Sequence, residues 1–181
     1  CVMRHIPIFT FINKLDREGQ DPFDLLDEIE SELKIAVRPL SWPINIGQRF
    51  KGVYNIYEKN LNLYTPSKQV VTEAIEFRDI DSPELEKHIG ESDATKLRAD
   101  FRSIADFDVE KYLSGDLAPV FFGSALNNFG VRELLDCFVE IAPSPRPVQA
   151  IEREVRPEEE AFSGFVFKIH ANMDPNHRSC I

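Results

Sequence analysis

Two short runs of uninterrupted apolar residues break an otherwise mixed chain. Residues 6–12 (IPIFTFI) and 119–122 (PVFF) are rich in β-branched and aromatic side chains, the pattern of a strand buried on both faces of a parallel sheet. Each run leads into a polar loop and then an amphipathic helix. After the first, Asp21 offers an N-cap and Pro22 a first helical residue. Leu25, Leu26, Ile29 and Leu33 then share one face, which predicts a helix over 22–34. After the second, Gly130 opens a helix whose Val131, Leu134, Leu135, Phe138 and Ile141 recur at helical spacing until Pro143 stops it. The chain therefore reads twice as strand, loop, helix, the signature of an α/β fold.

The region between the two units has a different texture. Residues 50–64 alternate around Glu58, Lys59 and Asn60 as a hairpin would, residues 72–77 add a strand, and helices are expected over 84–89, 94–104 and 109–117. We read residues 36–117 as an inserted α+β subdomain. Beyond the second helix, residues 142–147 (APSPRP) form a stiff connector and residues 152–160 an acidic, solvated stretch. From Phe162, FSGFVFKI alternates as the opening strand of another β domain. The expected organisation is an α/β domain over 1–148, a linker over 149–161 and the start of a β domain over 162–181.

Composition narrows the function classes. The 181 residues carry a formal charge of -10, which repels polyanions and argues against direct nucleic-acid binding. No apolar run approaches the ~20 residues of a membrane helix, and the first residues lack the layout of a signal peptide, so a cytoplasmic location is expected. Cys1, Cys137 and Cys180 fit neither a disulfide framework nor a paired-cysteine metal site. Both ends of the sequence look cut from something longer.

The candidate chemistry lies in the two loops. In an open α/β sheet, ligands bind where loops leave the carboxyl ends of strands. Asn13-Lys14-Leu15-Asp16 and Ser124-Ala125-Leu126 both occupy that position. A purine with a keto group at C6 and an amine at C2 presents two adjacent donors, and the Asp16 carboxylate can accept both as a charge-assisted bidentate pair. Adenine cannot satisfy it. Asn13 can meet the N7 and O6 edge and brace the neighbouring loops, the Lys14 stem can lie along the base plane, and the Ala125 N–H can reach O6. The plainer alternatives are a polar turn capping the next helix for Asn13, Lys14 and Asp16, and a turn serine for Ser124. Trp42, Tyr54 and Tyr57 read as core packing rather than a stacking platform. Asp174, His177 and Cys180 read as turn and surface residues rather than metal ligands.

Longer stretches carry a family resemblance. FINKLDREGQDPFDLLDEI and PVFFGSALNNFGVRELLDCFVEIAPSPRP resemble the base-specificity motif and the last guanine loop, each with its following helix, of translational GTPases of the elongation factor G-like superfamily. WPINIGQRFKGVYNIY and FSGFVFKIHANMDPNHR look like the bacterial peptide chain release factor three family in particular. The resemblance implies the C-terminal half of a P-loop GTPase domain, with a parallel sheet flanked by helices, an inserted subdomain and the first strand of a β-barrel. GTP or GDP would be held through Asn13, Lys14, Asp16, Ser124, Ala125 and Leu126. The parent would be a GTP hydrolase acting at the ribosome on class-I release factors. The family's Gly-rich phosphate loop, its Mg2+-holding threonine and its catalytic histidine have no counterpart here, so neither catalytic residues nor Mg2+ ligands are expected in this piece. An elongation factor G-like or ribosomal-protection GTPase, or a non-catalytic protein-binding module, are the alternatives.

Overall fold

The computed structural model describes residues 6–64, 74–76, 79–166 and 168. The chain divides into two compact units, 1–142 and 143–181. In the first, β1 (Thr10–Ile12) and β2 (Ala36–Pro39) flank β7 (Leu117–Phe122) in a parallel sheet of order β1-β7-β2. Thr10 lies opposite Val120, and Ala36 opposite Leu117. All six residues of β7 are buried, as its continuous apolar run requires of a central strand.

Proline in a central strand is unusual because it cannot donate to the ladder. Pro119 is tolerated through the alternation of backbone direction along β7. Val120 C=O accepts from Leu40 N–H on the β2 side, so the odd-numbered neighbours face β1, as Gly123 N–H does in donating to Ile12 C=O. Pro119 therefore faces β1 just where its pairing has not yet begun. For the same reason the strand expected over 6–12 is shorter here and starts at Thr10.

Helix α1 (Pro22–Leu33) begins as its sequence predicts, with Asp21 accepting the Phe23 N–H at 2.9 Å and Pro22 in the first turn. It ends on Lys34, which adopts a left-handed conformation with φ 58°. Glu30, in the last turn, accepts the Val37 N–H at 2.8 Å and so joins the helix end to β2.

Residues 36–44 do something the apolar pattern concealed. Having paired with β7 as β2, the chain passes through Leu40 and continues as β3 (Ser41–Ile44), the first strand of a four-stranded antiparallel sheet. The boundary expected at residue 36 thus falls inside the parallel sheet. Leu40 is the seam: its N–H donates to Val120, and its C=O accepts from Ile56 and Tyr57. The next residue, Ser41, lends its hydroxyl oxygen to the Phe122 N–H at 2.9 Å. Trp42 fills the space behind, its ring 4.6 Å from Phe23 and 5.5 Å from Phe122, with Nε1 donating to Asp100 at 3.0 Å.

The expected hairpin is present as β4 (Gly52–Asn55) and β5 (Asn60–Leu63), with β6 (Ala74–Glu76) beside it. Helices α2 (Glu84–Ile89), α3 (Glu91–Ser103) and α4 (Val109–Ser114) follow. Arg98 fastens α3 to the preceding segment by donating to Ile80 C=O, Ser82 C=O and Glu86. Lys51 Nζ donates to Ile89 C=O and sits 2.6 Å from Asp93, spanning the junction of α2 and α3. Burial pulls the Asp93 carboxyl upward, but hydrogen bonds from Lys51 and Asn45, with the charges of Lys51 and Arg49, outweigh it and hold Asp93 below its usual range.

After β7, α5 (Val131–Ile141) packs Cys137 inward. Burial, reinforced by the negative charges of Glu140 and Glu58, pushes this thiol up to about 12.

In the second unit β8 (Val148–Gln149) and β9 (Glu154–Val155) form a small hairpin that begins at the last residue of the expected α/β domain and runs into the expected linker, and Arg153 reaches both carboxylate oxygens of Glu159. Residues 162–166 carry no strand pairing, and residues 167 and 169–181, including Asp174, His177 and Cys180, lie outside the described residues. No helix among the described residues is long and apolar enough to cross a membrane.

The left-handed residue closing α1 supplies a stability test. A side chain in that conformation costs about 1 kcal/mol, which glycine does not incur. Lys34→Gly should therefore raise the unfolding free energy by up to about 1 kcal/mol in a urea titration. An unchanged or lower midpoint would show that the lysine is not strained there.

Candidate functional site

The loops leaving β1 and β7 meet at the carboxyl end of the parallel sheet. The first is shaped by Asn13, whose Oδ1 accepts the Lys14 N–H at 2.8 Å and fixes Lys14 in a left-handed conformation with φ 71°. Leu15 is the anchor. It is buried, donates its N–H to Gly123 C=O at 3.2 Å and accepts the Gly47 N–H at 2.9 Å. With Leu15 pointing inward, Asn13 and Asp16 are set toward the second loop.

That loop needs two glycines. Beyond β7, Ser124 and Phe129 exchange backbone hydrogen bonds at 2.9 Å in both directions, closing residues 125–128 into a tight excursion. A Cβ on Gly123 would run into the Phe129 carbonyl oxygen and lie 2.8 Å from the Phe11 ring. Gly130, at φ 76°, would bring a Cβ against the Phe122 carbonyl. Both must stay bare for the loop to fold back so closely.

Two contacts then join the loops across more than 100 residues of sequence. Ser124 Oγ donates to Asp16 Oδ1 at 2.7 Å, and Ala125 N–H donates to Asn13 Oδ1 at 2.9 Å. Ser124 is fully buried and Asp16 only partly so. The serine thus orients a carboxylate whose other side meets solvent, and a charge-assisted hydrogen bond of this kind contributes about 1.5–3 kcal/mol. Asn127 Nδ2 donates to Ser124 Oγ at 2.9 Å and completes the cluster.

Of the six residues singled out in the sequence, Asn13, Asp16, Ser124 and Ala125 come together. The Lys14 side chain is exposed beside them, and Leu126 points into solvent at 85% exposure. The Ala125 N–H, expected to face a ligand, is directed at Asn13. Three contributors went unnoticed: Asn127, the Phe129 backbone, and Glu18, which accepts the Gln48 N–H at 3.3 Å. The pairing of Gly123 and Gly130 around six residues was the available signal for the folded-back loop. Nothing local marks Glu18. Clefts of about 230 Å³ beside Trp42 and Arg49 and about 310 Å³ beside Tyr57 and Phe107 lie apart from this cluster. Among the described residues no group of His, Cys, Asp or Glu is placed to hold a metal ion.

Residues 1–144 match the family model of the elongation factor Tu GTP-binding domain. The chain belongs to that family. It therefore carries part of a GTP-binding domain of the translational GTPase type, and the α/β architecture is the one its parallel sheet and flanking helices display. A solved structure from Thermus thermophilus shares the fold, with a TM-score of 0.50 at 20% identity over 77% of this chain. This chain spans 23% of that protein's length.

Within this elongation factor Tu-type domain, Gly123 tests the close approach of the loops. Gly123→Ala presses a methyl group against backbone that cannot yield, and should destabilise by about 1–3 kcal/mol. Gly19→Ala, with open space around the new Cβ, should stay within about 0.5 kcal/mol of the parent. Equal midpoints for the two variants in chemical denaturation would contradict the packing described.

Proposed function

We propose that Asn13, Lys14 and Asp16 with Ser124, Ala125 and Leu126 read the guanine base of GTP and GDP. The observation that carries this reading is the Ser124–Asp16 hydrogen bond at 2.7 Å, which presents a carboxylate at the carboxyl end of the parallel sheet, where open α/β sheets take their ligands. Asp16 accepts guanine N1–H and the C2 amine together. Because Asn13 Oδ1 is taken by the Lys14 and Ala125 N–H groups, its Nδ2 is the atom that faces N7. Ala125 N–H is shared between Asn13 and O6, Lys14 lays its stem on the base plane, and Leu126 joins the set as the third residue of the Ser124-Ala125-Leu126 loop. In the whole protein Mg2+ and the phosphates would be held by residues other than these.

The finer reading is that the whole protein uses GTP to free class-I release factors from the ribosome at termination. It rests on the likeness of residues 42–57 and 162–178 to the release factor three family. The ribosome and class-I release factors are then its partners.

Asp16→Asn in the full-length protein tests the base reading. The amide no longer accepts from both guanine donors, and its N–H₂ faces the C2 amine, leaving a desolvated donor unpaired. Xanthine carries an oxygen at C2 that this N–H₂ can meet. GTP affinity should fall at least about a hundredfold, roughly 2.7 kcal/mol, while xanthosine triphosphate gains. Were Asp16 only a turn residue, asparagine would serve equally and neither affinity would change.

The termination role has its own assay. On purified termination complexes, the full-length protein with GTP should speed departure of a labelled class-I release factor, and the Asp16→Asn variant should do so with xanthosine triphosphate instead. GTP-driven movement of tRNA and mRNA without release-factor departure would assign the chain to an elongation-type factor.

A further inference from the structure

One corner of the antiparallel sheet touches both candidate guanine loops. In the 3-10 turn Gly47–Arg49, the Gly47 N–H donates to Leu15 C=O at 2.9 Å and the Gln48 N–H to Glu18 at 3.3 Å. These contacts hold the loop that carries Asn13 and Asp16. Gly47 sits at φ 63°, where any side chain is strained, and a Cβ there would displace the Glu18 carboxylate that accepts the Gln48 N–H.

The other loop is held from the same corner. Phe50, which ends the turn, and Tyr64, just beyond β5, close on Phe129 with ring centroids 5.3 and 5.7 Å away and planes at 86° and 85°. Phe50 and Tyr64 are themselves 5.5 Å apart, so the three rings form one cluster. Phe129 is buried, and its backbone makes both hydrogen bonds that fix Ser124. The path from Tyr64 to Asp16 therefore runs through ring contacts, one backbone pair and the Ser124 hydroxyl.

We infer that Gly47, Phe50 and Tyr64 form a positioning element for base recognition, setting how firmly Asp16 and Ser124 are held together and hence how well guanine is discriminated and retained. None of the three touches the base. The inference rests on the guanine reading of the two loops. It makes the antiparallel sheet part of the nucleotide-binding apparatus rather than a passive insertion.

The test uses the full-length protein, with stopped-flow release of a fluorescent GDP and competition by GDP against IDP. IDP lacks the C2 amine that Asp16 accepts, so the GDP-to-IDP preference reports the placement of that carboxylate. Tyr64→Ala and Gly47→Ala should speed GDP release about tenfold and reduce the preference for GDP by about fivefold or more. Tyr64→Phe, which keeps the ring, should behave as the parent does. A variant that merely loses stability weakens GDP and IDP alike and leaves their ratio unchanged. Should Gly47→Ala not fold, the Tyr64 pair decides alone. Parental release rate and parental ratio in folded Tyr64→Ala would overturn the inference. A parent protein that does not prefer GDP over IDP would instead overturn the guanine reading, and the inference with it.

Discussion

A fully buried strand must find a partner for every backbone N–H and C=O without help from water. Strand β7 is under that constraint along its whole length, and much of the first unit can be understood as its fulfilment. One edge is met by β1, the other by β2. Where β2 ends, the chain does not leave: Leu40 donates to Val120 and the Ser41 hydroxyl takes the Phe122 N–H. That continued attachment is what aims β3 into the second sheet. At the far end Gly123 pairs with Ile12, and Ser124 turns to its own loop. An unpaired buried group here would cost about 1–3 kcal/mol.

The same constraint delivers the candidate site. Because β7 is clamped on both sides up to Phe122, the two loops emerge in fixed relation, close enough for a hydroxyl to reach a carboxylate. Neither loop could hold that geometry by itself. Asn13 organises its own loop through Lys14, yet its position relative to Ala125 depends on the register of β1 against β7. A slip of one residue would turn every side chain of β1 to the opposite face.

Sequence reasoning reached the parts of this arrangement that are written locally. The apolar runs in β1 and β7, the Asp21 cap, Pro22 and the spacing of Val131, Leu134, Phe138 and Ile141 each encode an element through nearest neighbours. Parallel strands followed by loops then place Asn13, Asp16, Ser124 and Ala125 at one end of the sheet. What escaped is non-local. Pro39 and Pro43 with Arg38 interrupt any alternation over 36–44, so the strand pair there is specified by β7, Ser41 and Trp42 rather than by its own pattern. The start of β1 at Thr10 depends on Pro119, more than 100 residues later. Glu18 meets its partner in the 47–50 turn, and the Phe129 ring packs on Phe50 and Tyr64, contacts that no local pattern announces.

Trp42 is the chain's single tryptophan, and it stands at the seam between the two sheets, almost without solvent exposure and with its indole N–H held by Asp100. Tryptophan fluorescence from these 181 residues is therefore a local gauge rather than an average. Its emission belongs to the one place where the parallel sheet hands the chain to the antiparallel one, and a red shift would register the opening of that seam to water even if the rest of the molecule stayed folded.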